Sequence, residues 1–217
     1  MNRILLILIL FLIFFAQNVF AEPQSLDKLK KEIRLYYKDG QWEKDVSLKY
    51  AQAEKIIDDF KGDRSKTAIV FDIDETVLTS YPFLEKIDFS FRAGLPQWSD
   101  WVLKADSPAM DGALKFYKKA KALGFKLFFL TGRYENTRSL TEKNLKNKGF
   151  DGYEAIINKQ EHMRGKMTAT EFKTAERKKL EERGYKILLN IGDQDSDLDG
   201  GYAEYTVKLP NPMYYTP

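Results

Sequence analysis

The strongest constraint on folding is the stretch Thr67-Ala68-Ile69-Val70-Phe71, apolar from Ala68 onward, which stops abruptly at Asp72 and is followed by Asp74. A short, β-branched run of this kind reads as a strand buried on both faces. Side chains two residues apart in an extended segment point the same way, so Asp72 and Asp74 can face one site. In open α/β sheets ligands bind beyond the carboxyl ends of the strands, where these acids would lie. Taken alone, Asp-x-Asp is equally the pattern of an acidic turn after a strand, and the rest of the chain has to decide between the two.

Downstream, strand and helix patterns alternate. Residues 111–123 read as a helix ended by Gly124, and 125–130 as a second buried strand stopping at Thr131-Gly132-Arg133. Residues 135–148 read as a helix closed by Gly149, 154–157 as a third strand, and 158–169 as a polar loop. A helix over 170–183, a strand over 186–191 ending at Gly192-Asp193, and a weak fifth strand over 205–208 complete the series. Alternation of this kind predicts an α/β fold, Rossmann-like, with a mostly parallel sheet flanked by helices. Two amphipathic helices, near 26–37 and 42–60, precede it within the N-terminal part 22–65 and carry no evident chemistry.

Between about 79 and 110 the periodicity is lost. Tyr81, Phe83, Phe89, Phe91, Trp98 and Trp101 crowd together with Pro82, Gly94, Pro96 and Pro108. The stretch follows directly on the acidic turn and fits a small helical and irregular cap over a site, although aromatics serve equally as local packing.

The N-terminus belongs to a different category. Arg3 precedes an unbroken apolar run from Ile4 to Phe15, and Val19-Phe20-Ala21 offers a cleavage point ahead of Glu22. Residues 1–21 therefore read as a secretory signal peptide, leaving 22–217 as the mature domain, secreted or periplasmic and free of the membrane after cleavage. The chain has no cysteine, which excludes lipid attachment through cysteine and disulfides alike. Removing 1–21 takes away Arg3 alone among the charged residues and leaves a formal balance of +2, no footprint for a nucleic-acid polymer. The basic clusters at 28–31, 118–121 and 177–179 lie on helical patterns, where solvated faces are expected.

Polar groups thus gather at successive strand ends: Asp72 and Asp74, then Thr131-Gly132, then Asp193 with Asp197, while Lys173 opens the helix before the last strand. Independent surface turns give no reason for that convergence. Phe71-Asp72-Ile73-Asp74-Glu75-Thr76 resembles the first motif of the haloacid dehalogenase (HAD) superfamily of phosphohydrolases. Leu130-Thr131-Gly132-Arg133 resembles the second, Phe172-Lys173-Thr174-Ala175-Glu176-Arg177 the third, and the segment from Gly192-Asp193 to Asp197-Leu198 the fourth. The Asp-Glu-Thr continuation and the closing segment 208–215 are similar to the secreted acid phosphatases of that superfamily, a group that includes bacterial class C enzymes and plant acid phosphatases and vegetative storage proteins.

The resemblance implies a hydrolase of small phosphomonoesters. Asp72 would attack phosphorus, since the acyl phosphate it forms is itself readily hydrolysed. Asp74 would protonate the leaving alcohol and then activate water. Asp72, the Asp74 carbonyl and Asp193 would hold Mg2+, and Asp197 would ligate the metal or hold a water on it. Thr131 and the Gly132 N–H would bind phosphate oxygens, with Lys173 neutralising the remaining charge. Arg133 would contact substrate or form a structural ion pair. The flat rings of 79–110 make a 5′-nucleotide a candidate substrate. Asp195 departs from the plant pattern, which has an aromatic residue there, and would face either the metal region or solvent. His162 lies in the polar loop. Phosphotransfer to an acceptor alcohol, or a non-enzymatic storage or binding role on the same scaffold, are the competing readings; the latter is disfavoured by the retention of Asp72, Asp74, Lys173 and Asp193.

Overall fold

A computed structural model describes residues 22–91 and 95–216. The expected signal segment, 1–21, and residues 92–94 in the middle of the aromatic stretch lie outside the described residues. The described residues divide into two units, 22–32 and 33–216, the boundary falling inside helix α1 (Leu26–Lys38). The sheet and every site residue belong to the second unit.

Five strands form one parallel sheet: β1 (Thr67–Phe71), β2 (Lys126–Tyr134), β3 (Ala155–Lys159), β4 (Lys186–Gly192) and β5 (Tyr205–Lys208), in the spatial order β3-β2-β1-β4-β5. The chain first builds outward from β1 to β2 and β3, then crosses over to lay β4 on the other side of β1. That reversal places a topological switch point between the ends of β1 and β4, where open sheets leave a crevice.

Both faces of the sheet are covered, which is why β1 is buried at all five positions. Ile69 and Phe71 pack with Phe129 and Ile191 on one face, against Val46, Tyr50 and Ile57 of α2 (Gln41–Asp59) and Phe116 of α5 (Asp111–Ala122). Ala68 and Val70 turn the other way, to Phe128, Leu130 and Ile187, under Phe172 and Leu180 of α7 (Ala169–Glu182). The two-residue alternation along β1 is thus read out as two separate apolar layers. Helix α7 starts at a reciprocal cap, Thr168 accepting from the Glu171 N–H while the Glu171 carboxylate accepts from the Thr168 N–H.

Two boundaries differ from the sequence expectation. Strand β2 does not stop at Leu130 but runs through Thr131-Gly132-Arg133 to Tyr134, with its register to β3 shifting between Thr131 and Tyr134. The helix expected from Glu135 begins as a tight turn over Glu135–Thr137 and becomes α6 (Arg138–Asn147) only afterwards. A third difference concerns charge: Arg177, expected on a solvated face, is fully buried. Between β1 and α5 lie two short helices, α3 (Tyr81–Lys86) and α4 (Pro96–Leu103), each with proline in its first turn. Their rings form a cluster around Phe83, Leu84 and Met213.

Candidate active site

The Asp72 N–H donates to the Ile191 carbonyl at 2.9 Å, so the ladder with β4 continues one residue past β1. The chain then folds into a tight turn in which the Val77 and Leu78 N–H groups both donate to the Ile73 carbonyl at 3.0 Å. Glu75 adopts a left-handed conformation there, φ 55°, which a side-chain-bearing residue takes only when its surroundings hold it. They do: its N–H donates to the Leu78 carbonyl at 2.7 Å, and its carboxylate accepts from the Ser80 N–H at 2.5 Å and the Thr79 hydroxyl at 3.0 Å. The Tyr50 hydroxyl of α2 donates to the Thr76 carbonyl at 2.7 Å from below.

Across the switch point, Asp72, Asp193 and Asp197 each present a carboxylate oxygen, and the three lie within 4.8 Å of one another, all buried. Lys173 reaches in from α7, its Nζ 2.5 Å from Asp72 Oδ1 and 2.5 Å from Asp197 Oδ1. Burial pushes the Asp72 carboxyl well above the usual carboxylate range; Lys173 opposes this, while Asp197, Asp193 and Asp74 add to it. Burial also raises Asp193, to about 7, with Asp197 contributing and hydrogen bonds from Asn211 and Gln194 pulling the other way. For Lys173 burial acts downward, but Asp197 and Asp72 outweigh it and hold the ammonium above its ordinary value. One ammonium among three buried acids leaves surplus negative charge. The donors are all carboxylate oxygens, a set that suits a hard divalent cation.

Asp74 faces a different partner. Arg133 Nη2 lies 2.6 Å from Asp74 Oδ1 and Arg133 Nε lies 2.9 Å from Asp74 Oδ2, a two-pronged pair that leaves Asp74 partly exposed. Of the two roles open to Arg133 from sequence, the structure shows the ion pair. Thr131 is buried on β2, and its hydroxyl accepts from the Arg133 N–H at 3.1 Å. Gly132 is exposed between them, and a Cβ there would find nothing within 4 Å.

The residues that support these groups were not evident from the sequence. Asn211 Nδ2 and Gln194 Nε2 donate to Asp193 Oδ2 at 2.7 and 2.6 Å, and Thr76 Oγ1 to Asp193 Oδ1 at 3.3 Å. Asn190 Nδ2 donates to the Asp197 carbonyl at 2.8 Å. A polar residue inside the apolar run of β4 was the available signal for Asn190. Gly192 is required by close approach, since a Cβ there would lie 2.3 Å from the Asp197 Cβ. Asp195 faces solvent, with Lys208 Nζ 3.7 Å from its Oδ1, and His162 is exposed on the turn Glu161–Met163. Of the aromatic stretch, Phe83 is buried in the local cluster, while Trp98 is partly exposed with its ring centroid 6.0 Å from the Arg133 guanidinium.

A family model described as HAD superfamily, subfamily IIIB (acid phosphatase), matches residues 15–217. Acid phosphatase 1 of Solanum lycopersicum is 41% identical over 160 residues, which are 71% of this chain and 61% of that protein. The chain thus spans less than two thirds of that relative's length. The stem 28 kDa glycoprotein of Glycine max is 36% identical over 205 residues, 92% of this chain and 80% of its own. Vegetative storage protein 1 of Arabidopsis thaliana is 32% identical over 151 residues, 68% of this chain and 55% of its own. Among solved structures, the class C acid phosphatase of Bacillus anthracis superposes with a TM-score of 0.73, covering 88% of this chain and 86% of its own at 24% identity, a likeness of fold.

Proposed function

The chain belongs to HAD subfamily IIIB, the acid phosphatases, and from that premise we propose that it hydrolyses small phosphomonoesters through an aspartyl-phosphate formed on Asp72, with Mg2+ bound by Asp72, the Asp74 carbonyl, Asp193 and Asp197. The observation that carries this reading is the meeting of Lys173 with Asp72 and Asp197 at 2.5 Å each, beside Asp193, at the switch point of the sheet. A cluster of buried acids around one ammonium has little value as a structural device, because desolvation penalises it. Its geometry supports a site that takes a phosphate and a cation together.

Asp72 Oδ attacks phosphorus; the P–O bond to the ester oxygen breaks as the P–Oδ bond forms. The departing oxygen takes its proton from Asp74, which Arg133 braces by both carboxylate oxygens. Water then attacks the aspartyl-phosphate, giving its proton to Asp74 and returning Asp72 as a carboxylate. The Thr131 hydroxyl and the exposed Gly132 N–H hold the non-transferring oxygens, and Lys173 offsets their charge. When bound, Mg2+ supplies positive charge that draws phosphate and nucleophile together and neutralises the developing negative charge. The partly exposed Trp98 beside Arg133 supports inclusion of 5′-nucleotides among the substrates, as an aromatic near the pair. Residues 1–21 direct export, so the exported protein should begin at Glu22, a point for N-terminal sequencing.

Replacing Asp72 with Asn and assaying a chromogenic phosphate ester with and without chelator tests the reading. Loss to below about one per cent of activity is expected for a covalent route, and retention above that level counts against it. The storage reading rests on the names of some relatives; the assembled Asp72, Lys173 and Asp193 favour catalysis over it.

A further inference from the structure

The buried Arg177 takes no part in the chemistry above, yet it lies one turn along α7 from Lys173, on the same face of the helix. It is fully buried, and its acceptors are backbone carbonyls: Nη1 donates to the Asp197 carbonyl at 2.6 Å, Nε to the Gly201 carbonyl at 2.9 Å, and Nη2 to the Asp199 carbonyl. Nη2 also reaches the Thr174 hydroxyl at 3.4 Å, and that hydroxyl donates to the same Asp199 carbonyl at 3.1 Å. A guanidinium is always charged, and burying one against neutral carbonyls is costly. Filling space would be better served by Leu or Met. Only a planar fork with five donors can bridge three carbonyls on alternate residues of one turn.

Asp197 is accordingly held from two sides by residues four apart on one helix. Lys173 takes its carboxylate at 2.5 Å and Arg177 its carbonyl at 2.6 Å. The turn itself sits hard against α7, since a Cβ on Gly200, which has φ 86°, would meet the Thr174 Oγ1 at 2.0 Å. We propose that Arg177 is a positioning residue for the cation site: by pinning the 197–201 turn to α7 it sets where the Asp197 carboxylate stands relative to Asp72 and Asp193. The inference rests on the phosphatase reading of that site and adds a residue to it.

Arg177→Lys keeps the charge but cannot span three carbonyls, and Gly200→Ala keeps the guanidinium but pushes the turn off the helix. The readouts are the Mg2+ concentration that gives half of the Mg2+-induced rise in Tm, measured without substrate, and kcat and KM on a chromogenic phosphate ester. Both variants are expected to need about 10–100-fold more Mg2+ and to lose kcat, with KM at saturating Mg2+ within about twofold of wild type. If Arg177→Lys does not fold, Gly200→Ala decides by the same measurements. A variant that is less stable but matches wild type in Mg2+ requirement and kcat overturns the proposal. Should wild type bind Mg2+ yet hydrolyse no ester, the phosphatase reading fails while the Mg2+ midpoints still judge Arg177. A wild type whose Tm ignores Mg2+ overturns both.

Discussion

Arg133 holds Asp74 by both carboxylate oxygens, at 2.6 and 2.9 Å, and so fixes the plane of the group proposed to give and receive a proton. The side chain of Arg133 is 2% exposed and that of Asp74 14% exposed, so the pair opens toward solvent on the Asp74 side alone. Asp74→Asn is expected to lower kcat by about 10²–10⁴-fold, the usual contribution of a proton-transfer group. Arg133→Met removes the brace and should cost about 10²-fold through misplacement of Asp74. The double variant separates the possible roles of the arginine. If Arg133 acts through Asp74, removing it from the Asp74→Asn background costs little more; if it binds substrate independently, the two losses multiply.

Metal removal should change the pH dependence of stability as well as the activity. Asp72 and Asp193 are raised in the fold chiefly by burial, Asp193 to about 7. An acid whose folded pKa lies above its unfolded value binds protons more readily in the native state, so stability falls as pH climbs from the unfolded pKa toward the folded one. In EDTA, Tm is therefore expected to decline between about pH 5 and pH 8, a window above the ordinary carboxylate range. Saturating Mg2+ should flatten that slope by favouring the ionised acids. Lys173→Met, which removes the ammonium between Asp72 and Asp197, should steepen it. A metal-free Tm that rises across this window would sink the account of the buried acids. Ester hydrolysis should vanish with chelator and return with added Mg2+.

Legibility in the sequence followed the physics of each feature. β1 was plain, because a strand buried on both faces must be a continuous apolar run, and the acids after it were visible as the point where that run breaks. The convergence of Asp72, Lys173, Asp193 and Asp197 followed from their placement after strands and at the start of a helix. Arg177 was hidden for the opposite reason: a basic residue in Glu-Arg-Lys-Lys carries no local sign that it points inward, and only the 197–201 turn, twenty residues on, gives it partners. Strand β2 was cut short at Leu130 because Thr-Gly-Arg looks like a turn. Its extension to Tyr134 depends on a shifted pairing with β3 that local pattern does not encode.

Glu75 offers a test of the turn that carries both proposed catalytic acids. It is wholly buried, with its carboxylate taking the Ser80 N–H at 2.5 Å and the Thr79 hydroxyl at 3.0 Å, and burial raises it to about 8. Those two bonds tie the start of the aromatic stretch to the left-handed residue next to Asp74. Glutamine has the same shape and keeps an acceptor for the Ser80 N–H, and the Thr79 hydroxyl can rotate to accept from the amide. Glu75→Gln should therefore fold within about 1 kcal/mol of wild type at about pH 4.5 and below, where the carboxyl is neutral in the folded and the unfolded chain alike. As pH rises from the unfolded carboxylate range to about 8 the wild-type protein loses stability, the folded pKa being the raised one, so the glutamine variant should gain on it across that window and the difference level off above it. Glu75→Ala leaves the Ser80 N–H without its acceptor and should be about 1–3 kcal/mol less stable than Glu75→Gln at any pH. Urea unfolding of the metal-free proteins at about pH 4.5, 7 and 9 would measure all three; equal pH slopes for wild type and Glu75→Gln would show that the carboxyl is ionised in the fold throughout.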